Sequence, residues 1–209
     1  MPAFGKIKFF WDNMLNPDLY DSAGSSLTAG TTAEGDYDVE YLHNMLETNM
    51  WKASNSSDVF ITLDVGSGNT QNADYLLIYG HNLNTIDAAF SLQWSTNGSD
   101  WTDAITNQAA PADTIYLKEF TAPGAKRYWR LKLSSMTAAP YMTICLWGMK
   151  TELAWNSVGF DPHGMKIIAK VNKTQGGRVA GVHIMYKERL FTLTFKQANC
   201  EIYYPKILD

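Results

Sequence analysis

Four histidines, two cysteines and a scatter of carboxylates are the residues of this 209-residue chain whose types suit catalysis or metal binding. Their spacing points to neither. His43, His81, His163 and His183 lie far apart, with no two at the ligand spacing of a metal such as zinc. The sequence has no Gly-x-Ser-x-Gly elbow, no phosphate-cradling glycine loop ending in Lys-Ser/Thr and no His-Glu-x-x-His. No enzyme chemistry and no cofactor is expected. His81 stands out because Gly80-His81-Asn82 breaks the apolar run YLLIYGHNL (75–83) with a polar tripeptide. Two readings compete there. Either His81 and Asn82 touch a ligand at the rim of a β-structure, or the backbone turns sharply and their side chains bond the loop. The acidic pairs Asp36/Asp38 and Asp58/Asp64 lack the spacing of a dedicated calcium loop and read as solvated turn acids, so no metal is expected.

The aromatic and cationic residues offer more. Seven tryptophans and eleven tyrosines are many for this length, and exposed aromatic faces are what a sugar ring stacks on. Trp51, Trp94, Trp101, Trp129 and Trp147 fall in or beside apolar runs, where large aromatics mostly serve a core. Arg127 and Arg130 flank Trp129 and suit either a bidentate grip on a sugar or carboxylate, or a cross-strand cation–π or ion-pair contact. The ligand-binding candidates are therefore His81, Asn82, Arg127, Trp129 and Arg130. A second group is basic: Lys166, Lys170, Lys173, Arg178, Lys187, Arg189 and Lys196. It reads either as a solvated sheet face or as an assembly surface for an acidic neighbour, with Lys166, Lys170, Arg178, Lys187 and Arg189 as the candidates.

The elements that must position these residues are strands. VFITLDVG (59–66), YLLIYGHNL (75–83), FSLQWSTNGSDWT (90–102), TIYLKEF (114–120), RYWRLKL (127–133) and MTICLWG (142–148) are short β-branched, aromatic and aliphatic runs fenced by turn residues. That spacing predicts an all-β sandwich. Val59, Ile61, Leu63 and Val65 share one face, and Trp129, Leu131 and Leu133 face opposite Tyr128, Arg130 and Lys132. Asn97-Gly98 between Trp94 and Trp101 predicts a tight turn. GKIKFFW (5–11) alternates as a first strand, residues 12–38 read as loop with 22–38 an exposed loop or arm, and residues 40–49 suit one or two helical turns. Trp51 is the expected first core anchor, and residues 103–113 read as a loop. After Gly148 comes a connector, then MKIIAKV, a Gly176-Gly177 turn, VAGVHIMY and LFTLTF, a three-stranded meander that needs a neighbour to pack on. The expected division is 1–50 as an N-terminal strand, arm and helical segment, 51–150 as the sandwich, and 151–209 as connector and β-rich assembly module.

Composition narrows the class. Apolar content of 45% and charged content of 18% are ordinary for a folded domain, and a net charge of −4 argues against a nucleic-acid partner held by bulk electrostatics. No run of eighteen apolar residues predicts a membrane span, and the N-terminus lacks the apolar core of a signal peptide. Cys145 and Cys200 read best as buried free thiols of a chain made in a reducing cytosol, with a single disulfide as the alternative.

Trp51, FITLDVG, YGHNL, WSTNGSDWT, RYWRLKL and ICLWG, in this order and spacing, resemble the discoidin (F5/8 type C) and galactose-binding-like jelly-roll superfamily over about half the chain. The wider layout, with KIKFFWDN and VEYLHNMLETNMWKAS before the sandwich and GFDPHGMKIIAKVNKTQGGRVAGVHIMYKERLFTLTF after it, is similar to tailed-bacteriophage and prophage virion proteins. That resemblance implies a structural component of a virion, of its tail or baseplate region, whose partners are other virion proteins and copies of itself. Nucleic acid and membrane are not expected. From another class comes the alternative, a carbohydrate-binding module that recognises host-surface glycans.

Overall fold

The computed structural model describes residues 7–20, 24–152 and 165–189. The strands are β1 (Lys8–Phe9), β2 (Ser26–Ala29), β3 (Trp51–Lys52), β4 (Val59–Asp64), β5 (Tyr75–His81), β6 (Ala89–Ser95), β7 (Thr102–Ala109), β8 (Ile115–Glu119), β9 (Tyr128–Ser134), β10 (Tyr141–Gly148), β11 (Thr151–Glu152), β12 (Met165–Lys173) and β13 (Val179–Arg189). Phe9–Thr151 form one compact unit, and the β12–β13 hairpin belongs to another.

The first unit is an antiparallel jelly-roll sandwich of a five-stranded sheet, β2-β4-β9-β6-β7, and a four-stranded sheet, β3-β10-β5-β8. Period-2 alternation fills its core. Ile61, Leu63, Phe90, Leu92, Trp129, Leu131 and Leu133 come from one sheet, and Trp51, Leu76, Ile78, Cys145 and Trp147 from the other, all at 0–1% exposure. Burial in this apolar layer pushes the Cys145 thiol well above its ordinary range, so it is a packing group rather than a nucleophile. Cys200 lies outside the described residues. The nearly continuous apolar run of β5 matches a strand covered on both sides: Leu76 and Ile78 enter the main core, while Tyr75 and Leu77 join Phe10, Ile144 and Leu146 in a satellite cluster behind the sheet. Phe10 packs edge-on against Tyr75 with ring centroids 5.1 Å apart.

Residues before the sandwich close its open side. Asp38 caps a 3-10 turn, Val39–Leu42, by accepting from the Glu40 N–H at 3.0 Å, and the fully buried Leu42 carries the turn into the core. The expected one or two helical turns over 40–49 reduce to this single turn. The exposed arm expected over 22–38 is corrected: Ser26–Ala29 form β2, an edge strand registered on β4 from Ser26 opposite Asp64 to Ala29 opposite Ile61, with Leu27 and Ala29 packed on the core. A second correction concerns 103–113, whose larger part is strand β7. Register shifts on either side of Ile105 break its period: Ile105, opposite Leu92, is buried, while Asp103, Thr106 and Asn107 are exposed, so the strand is wet on most of its length. Of the expected first strand only Lys8–Phe9 is regular, with residues 5 and 6 outside the described residues. Where the sandwich chain begins and ends, Trp11 Nε1 donates to Thr151 Oγ1 at 3.0 Å.

The β12–β13 hairpin turns at Thr174–Arg178 and pairs from Met165 opposite Arg189 to Lys173 opposite Val179, with bulges after Ile168 and Asn172. LFTLTF, the third strand of the expected meander, lies outside the described residues.

Candidate functional site

Antiparallel register decides which candidates share a surface. β5 ends at His81, and its connection to β6 lies at the same end of the sandwich as loops 53–58, 110–114 and 135–140. Arg127 precedes β9 at the opposite end, beside loops 65–74 and 96–101. His81 and Asn82 are therefore a strand length, roughly 20 Å, from Arg127. The five ligand-binding candidates do not form one site.

At the first end both polar side chains serve the loops. Asn82 Nδ2 donates to the Ala139 carbonyl at 3.1 Å, and its Oδ1 accepts from the Tyr141 N–H at 2.9 Å, which ties loop 82–88 to loop 135–140. His81 is 2% exposed, its Nδ1 accepts from the Leu83 N–H at 3.2 Å, and Nε2 is buried with no hydrogen-bond partner among the described residues. Gly80 permits this turn: its φ is +62°, and a Cβ there would lie 2.5 Å from Thr143 Oγ1. Burial holds the His81 imidazole below the ordinary histidine range, against the pull of Asp113 3.8 Å away. The unfolded chain thus binds more protons below about pH 6.5, and stability is lost as the pH falls through that value. His43 is lowered by burial as well, while Asp12, raised by burial, acts with the opposite sign. The readout is accordingly a difference. His81→Gln should flatten the decline of Tm between about pH 7 and pH 5, and parallel curves for variant and parent would refute a neutral buried His81.

At the other end the outer face of the five-stranded sheet is an ordered polar and aromatic array. Register sets three rows: Asp64, Tyr128 and Ser95; then Thr62, Arg130, Gln93 and Asp103; then Phe60, Lys132 and Ser91. The Arg130 guanidinium lies 4.0 Å from the Trp101 ring centroid and 4.5 Å from that of Phe60. Its Nε donates to Gln93 Oε1 at 2.7 Å, and Gln93 Nε2 donates to Asp103 Oδ1 at 2.7 Å. Arg127 is held by Asp64, with Nε and Nη2 donating to the two carboxylate oxygens at 2.8 and 2.9 Å, and its guanidinium covers the Tyr128 ring at 4.7 Å. Burial alone would raise the Asp64 carboxyl, but Arg127 and the Gly66 N–H outweigh it and hold it below the usual carboxylate range. The bidentate grip expected of Arg127 is thus already filled within the chain.

Trp129 corrects the expectation of a tryptophan platform flanked by arginines. It is fully buried, and its Nε1 donates to the Gln71 carbonyl at 3.1 Å. The aromatic partners of Arg130 are Trp101 and Phe60. Trp101 is set in place by the turn before it: Asn97 Oδ1 accepts from the Ser99 and Asp100 N–H groups at 2.9 Å, Ser95 Oγ accepts from the Gly98 N–H at 2.9 Å, and Gly98 lies over the Tyr128 ring. Asp58 and Asp64 sit at opposite ends of β4, and Asp36 accepts from the Tyr41 hydroxyl. Among the described residues no three His, Cys, Asp or Glu stand together as a metal-binding group.

In the hairpin the basic candidates divide. Lys166, salt-bridged to Glu188 at 2.9 Å, and Lys170, opposite His183, lie on one face; Lys187, opposite Ile167, lies on the other. Arg178 is in the turn, and Arg189 closes β13 opposite Met165.

No protein-family model and no curated protein matches the sequence. Solved structures do match the fold. A protein described as an α-L-fucosidase from Bacteroides thetaiotaomicron aligns over 67% of this chain and 29% of its own, with a TM-score of 0.54 at 15% identity. A GH29 fucosidase from Ruminococcus gnavus, solved with fucose, aligns over 64% of this chain and 26% of its own, with a TM-score of 0.51 at 15% identity. A chitosan-binding module from a Paenibacillus chitosanase/glucanase aligns over 61% of this chain and 96% of its own, with a TM-score of 0.49 at 14% identity. This chain spans under a third of either fucosidase. The likeness is one of fold, an all-β sandwich.

Proposed function

We propose that this chain is a non-catalytic carbohydrate-binding module, with its ligand laid against the outer face of the five-stranded sheet. The observation that carries this reading is Trp101, a partly exposed indole braced by Arg130 and bordered by the Gln93–Asp103 hydrogen-bonded pair. A pyranose has an apolar C–H face and a rim of hydroxyls, and a flat ring beside fixed donors and acceptors complements both. Arg130 supplies the donors: its Nε is committed to Gln93, and its terminal nitrogens have no hydrogen-bond partner among the described residues. Affinity electrophoresis against immobilised neutral and amino sugars tests the reading. Trp101→Ala should weaken binding at least about tenfold, or about 1.4 kcal/mol, while His81→Gln leaves it unchanged. Undiminished binding by Trp101→Ala would sink this placement of the site.

A second reading, as a subunit of an assembled particle such as the virion expected from the sequence resemblance, is favoured by a different observation. The outer face of the four-stranded sheet exposes Tyr79, Ile115 and Leu117, which suits a protein neighbour. None of the similar structures named above is a virion protein, and the apolar face does not say which particle the neighbour would belong to.

A further inference from the structure

The two outer faces of the sandwich differ in chemistry. Behind the four-stranded sheet, register aligns Ile144, Tyr79 and Ile115 in one row and Leu146, Leu77 and Leu117 in the next. The rows are covered at β10 and open toward the edge strand β8, where Tyr79 is 36%, Leu117 42% and Ile115 56% exposed. The Tyr79 hydroxyl bonds Glu47 Oε2 at 3.5 Å, which brings the loop of exposed Met45 and Leu46 to the same patch. An apolar sheet face ending in an edge strand that is uncovered among the described residues is a surface made for another β element.

The chain carries such an element. On the β12–β13 hairpin, Ala169 lies opposite Ile184 and Val171 opposite Val182, with Ile167 on the same face and its partner Lys187 at that face's end, and the four large apolar residues are about half exposed. The other face holds the Lys166–Glu188 pair, Ile168 opposite Tyr186, Lys170 and His183, and is the more polar of the two. A two-stranded hairpin with an apolar face that no described residue covers is marginal until that face is covered. Charge distinguishes the two surfaces further. Residues 165–189 carry six Lys and Arg against one Glu, net +5, whereas residues 9–151 carry seven against sixteen Asp and Glu, net −9. Hairpins would repel one another and be drawn to sandwiches.

We propose that the chain self-associates head to tail, with the apolar face of one copy's hairpin docked on the outer face of the four-stranded sheet of the next copy. Because the two surfaces are unlike, the contact is heterologous, and it closes into a ring or extends as a filament according to the rotation it imposes. It uses the side of the sandwich away from Trp101 and does not rest on sugar binding.

Sedimentation of the full chain over a concentration series tests this, with two surface variants. The double variant Ile115→Lys/Leu117→Lys spoils the sandwich face, and Val182→Asp spoils the hairpin face, with Ile184→Ser as a milder substitute that keeps the strand. The parent should form species larger than one chain, and each variant alone should sediment as a monomer. An equimolar mixture of the two variants should form a dimer that grows no further, because it contains one intact pair of surfaces. Raising salt from about 0.05 to 0.5 M should weaken the association. A parent that stays monomeric, as it would if the hairpin folded back on its own sandwich, overturns the proposal. So does a sandwich-face variant that still dimerises, which would mean hairpin-to-hairpin pairing, or a mixture that stays monomeric.

Discussion

Trp129→Ala should lower the stability of the sandwich by about 3–5 kcal/mol, since a fully buried tryptophan is lost and its cavity is filled only in part. Trp129 has no exposed surface, and it lies in the sheet between Leu63 on β4 and Trp94 on β6. Its Nε1 also holds the Gln71 carbonyl, and Gln71 exchanges backbone hydrogen bonds with Lys126 at 2.9 and 2.7 Å. One side chain thus fills the core and fastens loop 65–74 to the start of β9. Trp129→Phe separates the two contributions: it keeps most of the burial, and losing the hydrogen bond leaves a deficit of about 1 kcal/mol plus the volume difference. Equilibrium urea unfolding reads both. A Trp129→Ala loss under about 1 kcal/mol would contradict a core position.

Gly148→Ala should cost about 1–3 kcal/mol by forced overpacking, and its damage should fall on the N-terminal segment. A Cβ at Gly148 would stand 2.3 Å from the Asp12 carbonyl oxygen and 3.0 Å from its carbon, a collision with backbone that no rotamer change relieves. Asp12 is the hub of that contact. Its carbonyl accepts from the Tyr75 hydroxyl, its Oδ2 accepts from the Met149 N–H at 2.9 Å, and two residues on the Met14 N–H donates to the Trp147 carbonyl at 3.0 Å. Hydrogen exchange should therefore quicken at Met14 and Met149 before it does in β9. Gly30→Ala is the control, because a Cβ there meets only Phe60 backbone atoms at an ordinary 3.6 Å. Equal effects at both glycines would refute the close approach at Gly148.

Strands with large alternating side chains were readable from the sequence because burial and period coincide in them. Val59–Asp64 and Tyr128–Ser134 have the faces that alternation assigns, and Trp51 is a core anchor. β2 and β7 were not readable. Each is an edge strand with one wet face, so small and polar residues outnumber the few that touch the core, and the signal resembles a loop. The site was half legible. Arg130 was found by type, but its partners Trp101, Gln93 and Asp103 come from β6, β7 and the turn between them, and only sheet register joins them. The alternation of β9 already contained the correction to Trp129, because neighbours in a strand point to opposite faces and Arg130 could not flank a tryptophan on its own surface.

The hydrogen bond between Trp11 and Thr151 has a consequence for where such a sandwich can live. A unit whose first and last strands meet presents its flanking chain as two adjacent tails. It can therefore be spliced into a surface loop of an unrelated protein without prising that loop apart. The host needs only a gap about as wide as one side-chain contact. A fold with this property travels easily between large chains as an inserted cassette, carrying both outer sheet faces with it.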